Sequence, residues 1–141
     1  MKSWNVLDDV AVADCALELR GGDLDDLFAT GARALAEIMV DPETVSRDVE
    51  QTLRLEASTL DLLFHEWLSE LIFLKDKDQL VFPEAVVGVC AAPPALTACL
   101  TGGRIEPART GLRADPKAVT FHRFALEPRG DGWYACVVID I

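Results

Sequence analysis

The chain has 141 residues, half of them hydrophobic, which suits one packed domain spanning residues 1–141. Its formal charge of −11 argues against direct nucleic-acid binding, because neutralising phosphates requires clustered lysine and arginine. The N-terminus lacks the apolar region of a signal peptide, and no stretch approaches the roughly 20 apolar residues of a membrane helix. We therefore expect a cytoplasmic protein with no membrane partner.

The cysteines are spaced too widely for a Cys-x-x-Cys pair. Cys15, Cys90 and Cys136 lie in apolar, strand-like segments, where a reduced cysteine behaves as a small hydrophobe, and Cys99 is the fourth. We predict neither a structural zinc site nor a disulfide framework.

The first elements are a strand and an amphipathic helix. Apolar residues recur at every second position over residues 10–19, which predicts a strand. The alternation shifts by one residue near Ala13-Asp14, as it does at a β-bulge. Asp23 is a good N-cap for a helix that ends at Asp41-Pro42 and has apolar residues every three or four positions. Gly31 falls on the apolar face, where it would let a neighbouring element approach closely.

A second strand and a second helix follow. Residues 49–57 alternate apolar and charged side chains, which predicts a strand with one solvated face. Ser58 or Thr59 then caps a helix that ends in the charged residues 75–78. Its apolar residues recur at helical spacing, so two amphipathic helices are available to cover a sheet.

From residue 80 onward the pattern is that of strands separated by proline and glycine, at Pro93-Pro94, Gly102-Gly103 and residues 130–132. Residues 103–116 read as a polar loop. The predicted strands span residues 80–82, 85–91, 96–100, 118–126 and 133–139. The expected fold class is α+β: a two-layer domain with a mixed or antiparallel sheet and two amphipathic helices packed on one face.

The end of the chain is the most informative segment. The last predicted strand is rich in β-branched and aromatic residues, so it should be buried and should fix the terminus in space. It ends in Asp140 beside the C-terminal carboxylate of Ile141. Two neighbouring anionic groups repel each other unless a cation or a basic side chain lies between them, so this end is a candidate cation site.

At these residues the chain resembles the archease family, small proteins that assist the RtcB-type RNA ligase of tRNA splicing and RNA repair. Residues 117–122 read Lys-Ala-Val-Thr-Phe-His, close to the family's Lys-Ala-Val-Thr-Tyr-His signature. The other similar blocks, in the same order and spacing, are Ala13-Asp14, residues 24–28, residues 67–71 and residues 138–141. In place of the first Asp, the His and the Thr of the family's Asp-His-Thr-Ala-Asp pattern, this chain has Val10, Ala11 and Val12.

The resemblance implies a non-catalytic protein that promotes guanylylation of the ligase and so supports multiple turnovers. It also implies a divalent-cation site formed by Asp14, Asp140 and the Ile141 carboxylate. Oxygen donors without paired His or Cys suit a hard cation, with Ca²⁺ first and Mg²⁺ or Mn²⁺ as alternatives. Lys117 would steady these carboxylates or contact a nucleotide phosphate or the partner, and the sequence does not distinguish these roles.

Other interpretations stay open. Asp14 could simply fill a bulge, and Asp140 could be a solvated strand end. The chain could be a metal-independent chaperone-like or scaffold protein, or a divergent archease with another partner. His122 should share a strand face with Thr120 and act as a hydrogen-bonded structural residue, and His65 receives no role. With no nucleophile motif in the sequence, we assign no catalytic residue.

Overall fold

The computed structural model describes residues 3–7 and 14–141, apart from the side chains of Leu7 and Asp14. The predicted slip at Ala13-Asp14 and the first part of the predicted strand, residues 10–13, lie outside this description. The described elements are β1 (Trp4–Leu7), β2 (Asp14–Gly21), α1 (Leu24–Met39), a 3-10 turn (Pro42–Thr44), β3 (Val49–Glu56), α2 (Leu60–Asp78), β4 (Leu80–Ala91), β5 (Pro94–Arg104), β6 (Ala118–Arg129) and β7 (Gly132–Asp140).

The described strands form two antiparallel sheets. One has the order β1-β2-β7-β6 and the other has the order β3-β5-β4. Each helix contacts strands of both sheets, and apolar side chains from the two helices and from both sheets share one buried cluster. The α+β class is confirmed, whereas the prediction of one sheet was wrong, because periodicity shows how a strand alternates but not which strand it pairs with.

Both helices begin where the sequence predicts. The Asp23 carboxylate accepts a hydrogen bond from the Asp26 amide at 2.8 Å, and the Thr59 hydroxyl accepts one from the Leu62 amide at 3.2 Å. Gly31 is buried where α1 meets α2, and a Cβ atom there would lie 3.2 Å from Cζ of Phe64. The predicted close approach at Gly31 is therefore confirmed.

The three-stranded sheet differs from its prediction in two places. The strands predicted at 80–82 and 85–91 are one strand, β4, with a register shift around Pro83, which has no amide hydrogen to donate. Strand β5 continues through Gly102, which was predicted to interrupt it. A Cβ atom on Gly102 would lie 1.9 Å from the carbonyl oxygen of Val81, so only glycine fits there. Strand β3 alternates half-buried and exposed residues, as predicted.

Strand β7 lies in the middle of the four-stranded sheet, between β2 and β6, and residues 134–139 are all buried. This confirms the prediction of a buried last strand that fixes the end of the chain. Strand β6 runs through Pro128 to Arg129, and the turn into β7 contains Gly130 at φ +62°. Within the described residues, neither helix is long and apolar enough to cross a membrane.

The four cysteines carry thiols that are not joined in disulfides. Cys136 is buried and Cys15 is half-buried, so they fit the prediction of small apolar residues in strands. Cys90 is exposed, which corrects the inference drawn from its apolar neighbours, and Cys99 is exposed as well. Burial raises the pKa of the Cys15 thiol.

The single tyrosine gives a clean test of the β2–β7 pairing. Burial and the hydrogen bond that its hydroxyl donates to Glu18 Oε2 at 2.8 Å raise the pKa of Tyr134 to about 12. Tyrosine in an unfolded chain ionises near pH ~10, so this contact stabilises the fold fully below that pH and is lost as the pH rises through the folded pKa. Spectrophotometric titration of tyrosinate should give the raised value in the native protein and a lower one in Glu18→Gln. A native midpoint at the ordinary value would contradict this environment.

Candidate metal centre

The backbone brings the predicted site residues together at one end of the four-stranded sheet. Asp14 on β2 lies directly opposite Asp140 on β7, and Ala118 on β6 lies opposite Asp140 on the other side. The Lys117 amide donates a hydrogen bond to the Asp140 carbonyl oxygen at 2.7 Å. Directly opposed residues of antiparallel strands have Cα atoms about 4.5–5.5 Å apart. Asp14, Asp140 and Lys117 are therefore backbone neighbours, and Ile141 follows immediately.

This end of the sheet is accessible. Asp140 is half-buried, the Lys117 side chain is exposed, and Ile141 is 36% exposed. The Asp14 side chain lies outside the described part of the chain. Among the side chains that the structure describes, no three of the His, Cys, Asp and Glu type are grouped to hold a metal ion. The predicted set contains Asp14 and a main-chain carboxylate, so the cation site stays a prediction.

The donor set at this position fits a hard cation. The predicted ligands are the side chains of two aspartates and a terminal carboxylate, all of them oxygen donors, whereas zinc sites are built mainly from cysteine and histidine. The exposure of Ile141 leaves room for water ligands, which Ca²⁺ and Mg²⁺ commonly retain. The predicted ligands therefore suit Ca²⁺ or Mg²⁺, with Mn²⁺ as an alternative, better than they suit zinc.

The two histidines differ from their sequence-based interpretation. His122 is exposed, and the regular pairing of β6 with β7 breaks between Thr120 and Ala125, so the predicted face shared with Thr120 is not formed by a regular strand. The His122 backbone amide instead donates to the Thr120 hydroxyl at 3.3 Å. His65, which received no role, joins α2 to β6: its Nε2 lies 2.7 Å from the Val119 carbonyl oxygen.

Lys75 is a positioning residue that the sequence did not reveal. It is one of the last residues of α2, yet its side chain is only 7% exposed. Its Nζ donates to the Pro116 carbonyl at 2.9 Å and pairs with the carboxylates of Asp115 and Asp76. Burial disfavours the charged form, but the hydrogen bonds to the two aspartates prevail and raise the pKa of Lys75. Helix α2 thereby holds the segment that leads directly into Lys117.

Replacing Lys75 with methionine should destabilise the fold by about 1–3 kcal/mol, because the buried Pro116 carbonyl loses its donor while the exposed Asp115 can be solvated. The raised pKa means that this stabilisation is present below the unfolded lysine pKa of about 10.4 and is lost as the pH rises through the folded value. Urea unfolding at neutral and strongly alkaline pH should show the difference from wild type shrinking. Lys77→Met, at a 59% exposed side chain, is the control. Equal stabilities at neutral pH would contradict this role.

This chain is similar in sequence to known proteins of one family. Residues 4–141 match the model of the Archease protein family. The protein archease of Archaeoglobus fulgidus is 33% identical over 135 residues, which cover 92% of this chain and 93% of the relative. The protein archease of Methanosarcina barkeri is 29% identical over 143 residues, covering 99% and 97%.

Solved structures show the same fold. The solution structure of Methanobacterium thermoautotrophicum protein 1598 superimposes with a TM-score of 0.81 at 26% identity and covers all of both chains. The crystal structure of an archease, possible chaperone, from Thermotoga maritima gives a TM-score of 0.67 at 19% identity over 93% of each chain, and this likeness concerns the fold alone. The resemblance found in the sequence is confirmed, and the chain belongs to the archease family.

Proposed function

We propose that this archease activates an RtcB-type RNA ligase of tRNA splicing and RNA repair by promoting guanylylation of the ligase. The observation that carries the proposal is the register of β2 and β7, which opposes Asp14 to Asp140 at an accessible end of the sheet. The archease is the activator and the ligase is the enzyme, in keeping with a sequence that has no nucleophile motif. Cytoplasmic location and a single domain over residues 1–141 stay predictions.

The Asp14 and Asp140 side chains and the Ile141 main-chain carboxylate would hold a divalent cation, Ca²⁺ by preference and otherwise Mg²⁺ or Mn²⁺. When bound, such a cation neutralises phosphate charge and orients oxygen atoms during phosphoryl transfer. The protein's own part is to keep three anionic groups close together on paired backbone. That arrangement is unfavourable by Coulomb repulsion until a cation offsets it.

Lys117 would act beside the carboxylates. Its backbone is fixed by the hydrogen bond to Asp140, while its side chain is exposed. An exposed ammonium group at this position can contact a nucleotide phosphate or an acidic group of the partner as a point charge. It can also reduce the repulsion between the carboxylates, and both roles are part of the proposal.

The net charge supports a protein partner rather than bound RNA. A formal charge of −11 repels phosphates and attracts a basic RNA-handling enzyme over distances of about one Debye length, ~8–10 Å. Complementary charge of this kind increases association rates more than it increases final affinity. We therefore expect binding to the ligase to weaken and slow as salt is raised.

The test is to combine this protein with the RtcB-type ligase of the same cell, GTP, RNA with joinable ends and one divalent cation at a time. Guanylylated ligase and joined RNA are followed beyond one turnover per ligase molecule. The expected result is that joining continues only when the archease is present. A ligase that turns over equally well without the archease, with all three cations, would contradict the proposal.

A metal-independent chaperone-like or scaffold protein is the second candidate. The Thermotoga maritima archease is described as a possible chaperone, and this chain exposes several large apolar side chains, including Val86, Phe73 and Phe121. This candidate predicts that partner binding is unchanged when divalent cations are omitted and when Asp140 is replaced. The activator proposal predicts that stimulation is lost in Asp140→Ala.

A further inference from the structure

Strand β6 contains a large irregularity that the proposed cation site does not explain. Thr120 pairs with Val138 and Ala125 pairs with Cys136, so residues 121–124 lie opposite Val137 alone. We call residues 121–124 the Phe121 bulge. Arg123 within it has φ +55°, a left-handed conformation that a long side chain rarely adopts. Bulges and strained residues of this kind concentrate beside functional sites, where they re-aim side chains.

The bulge exposes the ring of Phe121 to solvent, while the rings of His65 and Phe124 pack against it. Phe121 is 58% exposed, and one face of its ring stacks on His65 of α2 with centroids 4.0 Å apart and planes at 10°. Phe124 anchors the other end, with its ring centroid 5.7 Å from that of Phe121 and 6.5 Å from that of Phe64 in the core. The outer face of Phe121 is thus held in a fixed orientation, which reduces the entropy lost when a partner covers it.

The Phe121 bulge lies next to the candidate metal centre. Ala118 pairs directly with Asp140, and Phe121 follows Ala118 by three residues on the same strand. With a rise of about 3.3 Å per residue, the two positions are about 10 Å apart. A protein interface of standard size, about 800 Å² on each partner, is wider than this separation, so a partner centred on the Asp140 end of the sheet would also cover this part of β6.

We propose that the Phe121 bulge docks into an apolar cavity of the ligase beside its active site, with Phe121 as the anchor. This inference rests on the proposed function, because it takes the ligase as the partner. The bulge lies close to the end of the sheet at which the ligase is proposed to act, and two chains of charge −11 repel each other, so the occupant is the ligase rather than a second copy of this chain. Aromatic residues, phenylalanine among them, are enriched at the cores of protein–protein interfaces, and a preorganised side chain loses less entropy on binding.

The experiment compares Phe121→Ala with Phe73→Ala, which removes a second ring, 52% exposed, from the later part of α2. Affinity for the immobilised ligase, the archease concentration giving half-maximal guanylylation, and calorimetric Ca²⁺ affinity are measured for each. Phe121→Ala should weaken ligase binding at least about 10-fold, as for truncation of an interface anchor. Its Ca²⁺ affinity and its maximal guanylylation at saturating concentration should match wild type, and Phe73→Ala should match wild type throughout.

Thermal unfolding confirms that the variants are folded, and Phe121→Leu, which keeps an apolar contact with His65, replaces the alanine variant if that one unfolds. If Phe121→Ala binds the ligase as tightly as the wild-type protein does, and the wild-type protein stimulates the ligase, the docking proposal is overturned and the proposed function stands. Phe121-dependent binding to the ligase without stimulation supports docking and overturns activation. Phe121-dependent binding to a single-stranded oligonucleotide, with none to the ligase, overturns the assignment of a protein occupant.

Discussion

Replacing Asp140 with alanine is expected to abolish multiple-turnover stimulation of the ligase and to weaken divalent-cation binding by about 100-fold or more. Removing a residue that only hydrogen-bonds to a metal ligand already weakens metal binding by about 10- to 100-fold, and Asp140 would be a ligand itself. Asp140 would supply one of the two side-chain carboxylates of the proposed site. A hard cation bound by few protein oxygens loses much of its binding energy with one of them. Guanylylation of the ligase and calorimetric cation titration measure the two effects separately.

The fold should survive this change. The hydrogen bond from the Lys117 amide goes to the Asp140 backbone carbonyl, and Asp140 pairs with Asp14 and Ala118 through its place in the backbone register, which alanine can also occupy. Removing one of several neighbouring carboxylates also relieves repulsion in the cation-free protein. Asp131→Ala is the matched control, because Asp131 is an exposed aspartate in the turn at the opposite end of β7. Undiminished stimulation by Asp140→Ala would contradict the proposed ligand set.

Replacing Gly102 with alanine is expected to lower the free energy of unfolding by about 3 kcal/mol, the upper part of the range for overpacked cores. The added Cβ would lie 1.9 Å from the Val81 carbonyl oxygen and 2.7 Å from the Phe82 Cα. Both atoms belong to the β4 backbone, which cannot rotate away as a flexible side chain would. Relief therefore requires the two strands to separate at the register shift in β4.

Gly88→Ala in β4 controls for the substitution itself. A Cβ atom there would have its nearest neighbour at 3.9 Å, an ordinary van der Waals distance, so a near-neutral effect or slight stabilisation is expected. Urea unfolding of both variants measures the difference in the free energy of unfolding. Equal stabilities would mean that the β4 and β5 backbones are not in close contact at Gly102.

Features set by local periodicity were predictable from the sequence. The caps at Asp23 and Thr59, the alternation of β3 and the buried last strand all follow from side chains within a few residues of each other. The same patterns gave the α+β class. They did not give two sheets, because the strand that pairs with β3 lies some forty residues further along the chain, at β5.

Features that depend on distant partners were missed for the same reason. Lys75 resembles a solvated helix end until Asp115 and Pro116, 40 and 41 residues later, surround its ammonium group. The sequence of the Phe121 bulge looks like part of a regular strand. The residue that packs against it, His65, is distant in sequence, and its Nε2 contacts the carbonyl of Val119, 54 residues away. Gly102 looks like a strand break because the sequence does not show that the β4 backbone passes beside it.

The candidate site lies between these two cases. Periodicity placed Asp140 at the end of a buried strand, and the structure confirms that position. The association of Asp14 with Asp140 came from resemblance to the archease family, and the β2–β7 register now places their backbones opposite each other. That register could not be derived from the sequence, since Asp14 and Asp140 are 126 positions apart along the chain.

The most direct test of the account is calorimetric titration of the purified protein with Ca²⁺, and with Mg²⁺ and Mn²⁺ in parallel. Asp14→Asn, Asp140→Asn and a version with extra residues after Ile141 are titrated alongside. The account predicts saturable binding at one site in the wild-type protein and markedly weaker binding in all three altered proteins. Absence of binding by any of the cations, or identical binding in the altered proteins, would contradict the claim that these carboxylates form a cation site.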